Sequence, residues 1–423
     1  MSASPGSWFG IAASRGRATQ NADSRRHVSV AGACLTAGAA AAAAAAVVVA
    51  AVPGNDSLPI YLPVARLLAQ GVAPSPFVPA GYPMFLSAVH AVIARSLGAA
   101  GWDATIAIGH GVLLVATACL AAAAVYRLGG RLSRVESAVV GLLVSVMLLR
   151  TLTRADDNAL AVPLTLACFV WLLSPGARAV TDVLIGGCLG GLVLVRPNLA
   201  VLVLPLAWVA LRQRRPIGLA AIAGTAGLLS LFLPGLYGYA VPHLPQNGAY
   251  NLFVGNNPFV KDAVVVDRNP ESSLGPALAY FRLPPAAPQA FWWEPRRPVA
   301  DAVLRGAAIR WAVSHPAAWA QALLYKAYCL VAPPPARRAP ARVLNVALLL
   351  VPAAGVCAIL YGQRRGRVAR SEAATLCTFG LLFCGPLVLF VSPARLRLPL
   401  DVCVVVMAWA AMTRRPRSDP AGT

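Results

Sequence analysis

The chain has 423 residues, of which 58% are hydrophobic and only 12% charged, with a mean hydropathy of +0.67. That balance excludes an ordinary soluble domain, and apolar runs of about 20 residues recurring along the chain exclude a barrel, whose strands alternate over about 10 residues. A net charge of +21 would suit a nucleic-acid binder, but most of the arginines stand in short clusters between apolar runs, so no nucleic-acid partner is expected.

The expected fold is therefore all-α: a polytopic membrane protein of about ten transmembrane helices. The expected spans are 29–52, 104–126, 136–152, 158–174, 180–196, 198–212, 217–238, 343–361, 372–392 and 397–412. Residues 1–28 and 413–423 are expected as cytoplasmic tails around a membrane domain of residues 29–412. The basic clusters Arg25/Arg26, "RLGGRLSR" from Arg127, "RQRR" from Arg212, "QRRGRVAR" from Gln363 and "RRPR" from Arg414 belong on the cytoplasmic side. Both termini are then inside. "SRRHVSV" before the first apolar run reads as a cytoplasmic flank and signal anchor, because the run to Val52 is too long for a cleaved signal.

The alanine run Ala39 to Ala46 reads as membrane filler, in keeping with the Ala, Gly, Pro and Arg surplus of a GC-rich coding sequence. All nine cysteines lie in apolar stretches without a CxxC or a companion His, which supports neither a disulfide framework nor a zinc site. No internal repeat of fixed period is visible.

Two large outer segments remain, 53–103 and 239–342. In the first, "LPIYLPVARLLAQG" and "GYPMFLSAVHAVIARSLG" have amphipathic helical spacing around the Pro-rich "APSPFVPA" and are expected along the membrane surface. In the second, "HPAAWAQALLYKAYCLVAP" from His315 is almost long enough to span. A crossing there would put "RQRR" or "QRRGRVAR" outside, so residues 315–333 are expected to lie in the interface.

The unusual chemistry falls on the outer side. Asp56 follows the first run with no basic residue nearer in sequence than Arg66, and either caps the helix near Pro59 or is functional. Asp156 and Asp157, in "TLTRADDNALAVP", are more acid than a cap needs. Arg150 or Arg154 can hold one and leave the other for substrate or metal. Arg395 and Arg397, in "SPARLRLPLDV", run against the positive-inside pattern and stand where a lipid phosphate would reach. Lys326, one of only two lysines, joins them by position. "NLFVGNNPFVKDA" contributes Asn256 and Asn257 from a strong turn signal, and Arg196-Pro197 reads as a break between two spans.

In their order along the chain, Asp56, "GYPMFL", "RADDNAL", "LVRPNL", "NLFVGNNP", "HPAAWAQALLYK" and "RLRLPLDV" resemble the GT-C superfamily of membrane glycosyltransferases. The likeness is to bacterial relatives of protein O-mannosyltransferases and aminoarabinose lipid A transferases, and it covers nearly the whole chain. It implies a GT-C-like bundle with interfacial helices, in the bacterial inner membrane, acting on the periplasmic or extracellular face. The implied donor is a polyprenyl-phosphate-linked sugar, and the acceptor is a glycolipid, polysaccharide or protein. The resemblance makes Asp56 the catalytic acid and Asp156 or Asp157 the second acid. Displacing a lipid phosphate also needs cations to stabilise the leaving group, and Lys326, Arg395 and Arg397 are the expected donor-phosphate ligands. Tyr61, Tyr82, Arg154, Asn256 and Asn257 are further substrate-binding candidates, and a divalent metal is left open.

The chain departs from the pattern in having one acid in "ND" where many relatives have a pair, and Asp-Asp where a Glu is expected. With no sizeable soluble C-terminal domain, acceptor recognition is expected to rest on the outer loops. The competing reading is a transporter or lipid flippase, and a scaffold without activity is a third.

Overall fold

The computed structural model describes residues 28–51, 61–72, 78–98, 101–148, 157–173, 179–239, 247–263, 270–293, 298–331, 339–390 and 397–414. Among them all regular structure is helical. Asp56, Arg154, Asp156 and Arg395, and nearly all of both expected tails, lie outside these residues.

The membrane-type helices are α1 (Val30–Ala51), α4 (Trp102–Arg127), α5 (Arg134–Met147), α6 (Asn158–Leu173), α7 (Ala179–Val195), α8 (Val203–Arg212) and α9 (Pro216–Phe232). A second set follows later in the chain: α15 (Ala339–Arg364), α16 (Arg370–Leu389) and α17 (Leu398–Thr413). Each falls on one of the ten expected apolar segments. Among the described residues, four stretches are long and apolar enough to cross a membrane: Val30–Val47, Trp102–Arg127, Pro216–Tyr237 and Arg370–Leu389. Asn158–Leu173, Ala179–Val195, Pro197–Arg212 and Leu398–Thr413 are also apolar but shorter. At 1.5 Å per residue, 26 residues reach about 39 Å and 16 only about 24 Å, against a hydrocarbon core of about 30 Å.

Pairwise packing gives the relative directions of these helices. Tyr126 donates to the Val28 carbonyl at 2.6 Å, and Cys34 and Cys119 donate to each other's carbonyls at 3.4 and 3.2 Å, so α1 and α4 are antiparallel. The Val28 amide meets the Leu132 carbonyl at 3.1 Å and Gly141 sits on the Ala37 backbone, so α1 and α5 are parallel. Gly186 and Gly190 of α7 lie on Ile222 and Ala226 of α9, and Gly355 and Gly362 of α15 on Val404 and Ala411 of α17, again in parallel. A side chain at Gly186 would come within 2.7 Å of the Ile222 carbonyl, so the close α7–α9 approach requires glycine there. All four relations are those of a chain that reverses direction at each successive membrane-type helix.

The bundle has two chemically different ends. At one, Arg414 donates to Glu372 at 2.8 and 3.0 Å, to the Arg367 carbonyl at 3.0 Å and to the Leu128 carbonyl, while Arg367 donates to the Met412 carbonyl at 2.9 Å. This ties the end of α4, the α15–α16 turn and the end of α17 together. Helix α16 runs from this arginine-rich end to the other, and α17 runs back to it.

At that other end lies a layer of further helices: α2 (Tyr61–Ala69), α3 (Gly81–Leu97), α10 (Gly248–Gly255), α11 (Leu274–Tyr280), α12 (Pro288–Trp293), α13 (Asp301–Ser314) and α14 (Pro316–Val331). Helices α2 and α3 fall on the two amphipathic stretches expected to be helical. Val64, Leu68 and Met84 share one core with Tyr250, Phe253, Leu304 and Ala307, so the two outer segments, far apart in sequence, pack as one apolar unit.

Candidate functional site

Helix α7 ends at Val195 because Pro197 disfavours a helical conformation at the residue before it; Arg196 has φ −142° and ψ 87° and starts a 3₁₀ turn over Pro197–Leu202. The break aims the Arg196 side chain at the start of α6. Its Nε and Nη2 donate to the two carboxylate oxygens of Asp157 at 2.9 and 3.1 Å, and Nη2 also donates to Asn158 Oδ1 at 2.7 Å. Asp157, Asn158 and Arg196 are 5%, 1% and 4% exposed. The cation that holds Asp157 is thus Arg196, a residue read from the sequence only as part of a turn. Arg150 and Arg154, the expected partners, lie outside the described residues.

The start of α3 is seated beside this pair. A side chain on Gly81 would come within 2.8 Å of the Leu194–Val195 backbone, next to Arg196. The following Tyr82 is fully buried, its hydroxyl 2.6 Å from His110 Nε2 of α4 and its ring edge-on to Tyr61 at 5.1 Å. Leu160 of α6 packs into the same cluster. Tyr61 and Tyr82 are therefore brought together near Asp157. His110, 1% exposed, is a polar partner that sequence reading passed over; its only signal is a lone imidazole in an otherwise apolar helix.

A second polar group joins the outer layer to the bundle. Gly255 presses on the Phe390 carbonyl so closely that a side chain there would overlap it. Asn256 donates to the carbonyls of Leu252 at 2.9 Å and Leu389 at 2.7 Å, and its Oδ1 accepts from Trp319 Nε1 at 2.9 Å. Lys326, 0% exposed, directs its ammonium to the carbonyls of Gly255 at 2.8 Å and Leu389 at 3.2 Å, and to Asn256 Oδ1 at 3.4 Å. Burial lowers its pKa from the ordinary lysine value to about 7. Asn257 donates to the carbonyls of Phe253 and Val254 and to Ser273 Oγ, and accepts from the Phe259 amide. Both asparagine amides thus bind the chain itself.

Arg397 pairs with Asp401 one turn on, Nε to Oδ1 at 2.9 Å, and donates from Nη1 to the Leu330 carbonyl of α14 at 2.9 Å. Leu330 is one turn beyond Lys326, so two of the expected phosphate-binding cations converge on α14.

Three buried polar arrangements therefore share one end of the bundle: a carboxylate on a guanidinium, a phenol on an imidazole, and an ammonium on carbonyls. Desolvated groups held in fixed geometry act strongly on charge that develops beside them. Among the described residues no three His, Cys, Asp or Glu side chains converge to hold a metal ion. No family model, curated protein or solved structure matches the chain.

Proposed function

We propose that the protein is an integral membrane glycosyltransferase of GT-C type, transferring a sugar from a polyprenyl-phosphate donor to an acceptor on the non-cytoplasmic face. The observation that carries this reading is the segregation of chemistry between the two ends of the bundle. Arginines tie together loops at one end; Asp157, Arg196, Tyr82, Lys326 and Arg397 gather at the other, where the outer layer meets the bundle. The positive-inside rule makes the arginine-rich end cytoplasmic, which gives ten spans, both termini inside and helix α14 in the interface. The membrane is then a bacterial inner membrane.

In the proposed reaction the acceptor hydroxyl oxygen attacks the anomeric carbon and its proton passes to the Asp56 carboxylate. The bond from the anomeric carbon to the phosphate oxygen breaks, the electron pair leaves with the polyprenyl phosphate, and the anomeric centre inverts. Arg397 and Arg395 stabilise the departing phosphate. Asp157 and Arg196 hold the floor of the site. A transporter would be expected to put ionisable groups near mid-bilayer, whereas the buried acids Asp157, Asp182 and Asp401 all stand at or just before the first turn of a helix. The test is transfer from a defined polyprenyl-phosphate sugar by the purified protein in lipid nanodiscs, with Asp56→Asn retaining donor binding and losing transfer.

A further inference from the structure

The ammonium of Lys326 meets three acceptors, Gly255 O, Leu389 O and Asn256 Oδ1, and a lysine ammonium has three donors. Asn256 also receives Trp319 from the same helix and donates to the same Leu389 carbonyl. One turn along α14, the Leu330 carbonyl receives Arg397. Helix α14 therefore grips the end of α16 and the start of α17 at points one turn apart, and grips the Gly255–Asn256 turn with the same lysine. A fully buried ammonium facing carbonyl oxygens is placed to fix backbone, and Arg397 is fixed with it.

We infer that Lys326, Asn256 and Trp319 form a positioning clasp that sets Arg397 for the phosphate ligand by docking the outer layer onto the α16–α17 junction. Lys326 acts through Arg397 and does not itself touch the phosphate. The identity of the phosphate ligand rests on the proposed function; the clasp does not.

The test is hydrogen–deuterium exchange on the full chain in nanodiscs, comparing wild type with Lys326→Met, Trp319→Phe and the double variant. Trp319→Phe removes one hydrogen bond and keeps the ring, so it reports even where Lys326→Met folds poorly. Exchange over both 251–257 and 386–390 should rise about tenfold in each single variant, with 158–173 unchanged and the double variant no faster than Lys326→Met. Additive effects, or a rise confined to 316–331, would overturn the clasp.

Binding of polyprenyl phosphate gives the second arm. Lys326→Met and Lys326→Arg should weaken it equally, about tenfold, because a planar guanidinium does not satisfy the three-carbonyl set. Full rescue by arginine would make Lys326 a direct phosphate ligand and overturn the positioning role. Coupled exchange with no binding of polyprenyl phosphate to the wild type would support the clasp and overturn the donor reading alone.

Discussion

Arg196 holds Asp157 through both carboxylate oxygens, across 39 residues of sequence, with neither residue more than 5% exposed. A pair so withdrawn from water stabilises little as a whole, but each half is costly to leave alone. Arg196→Met or Asp157→Leu alone should therefore destabilise the protein by about 3–5 kcal/mol. The double variant should recover much of that loss. Thermal unfolding in one detergent, read as a double-mutant cycle, measures the coupling; additive losses would mean that the two residues do not depend on each other.

Tyr82→Phe removes the hydroxyl that meets His110 at 2.6 Å between two buried side chains. The expected cost is about 1–3 kcal/mol, while Tyr82→Ala should cost more because it also empties a fully buried ring site. Equal stability of wild type and Tyr82→Phe would show that the phenol–imidazole contact contributes nothing.

Lys326 gives the stability a pH dependence of known sign. Its pKa is lowered by burial to about 7 in the folded protein, against 10.5 for the free side chain. Between these values the unfolded chain binds more protons at this residue, so its contribution to stability rises with pH across that window and is flat below it. Lys326→Met should remove this rise. Stability measured from pH 6 to 10 in both proteins checks it; identical slopes would mean that the lysine is not desolvated.

Much of the helical order is legible in the sequence because apolar runs of spanning length carry their own signal, and arginine clusters mark one end of most of them. The long-range polar pairs are not. Arg397 with Asp401, one turn apart on one helix, is a pair that local spacing suggests. Direction reversal along the chain says which way each helix runs but not which helices touch, so Arg196 with Asp157 and Tyr82 with His110 depend on packing that no local pattern encodes. The Asp182–Arg215 pair, at 2.5 Å, was missed for the same reason. Lys326 was visible as a rare lysine, yet its main acceptors are backbone carbonyls, which every residue has and no sequence displays. Asn256 and Asn257 were rightly read as a strong turn, and the structure spends their amides on holding it.

The proposed sidedness can be tested from both ends of the bundle. In a bacterial host, a fluorescent protein fused after Thr423 should fold and fluoresce, and alkaline phosphatase fused there should be inactive. Alkaline phosphatase fused after Asn247 should be active. The opposite pattern would put the polar end in the cytoplasm and remove access to an externally presented donor.

The most direct measurement of the central claim is native mass spectrometry of the purified protein with polyprenyl-phosphate sugars, comparing wild type with Arg397→Ala and Asp56→Asn. A bound donor is expected on wild type and on Asp56→Asn, with loss from Arg397→Ala. No bound donor on wild type, under conditions in which an established polyprenyl-phosphate-dependent transferase retains it, would contradict the account.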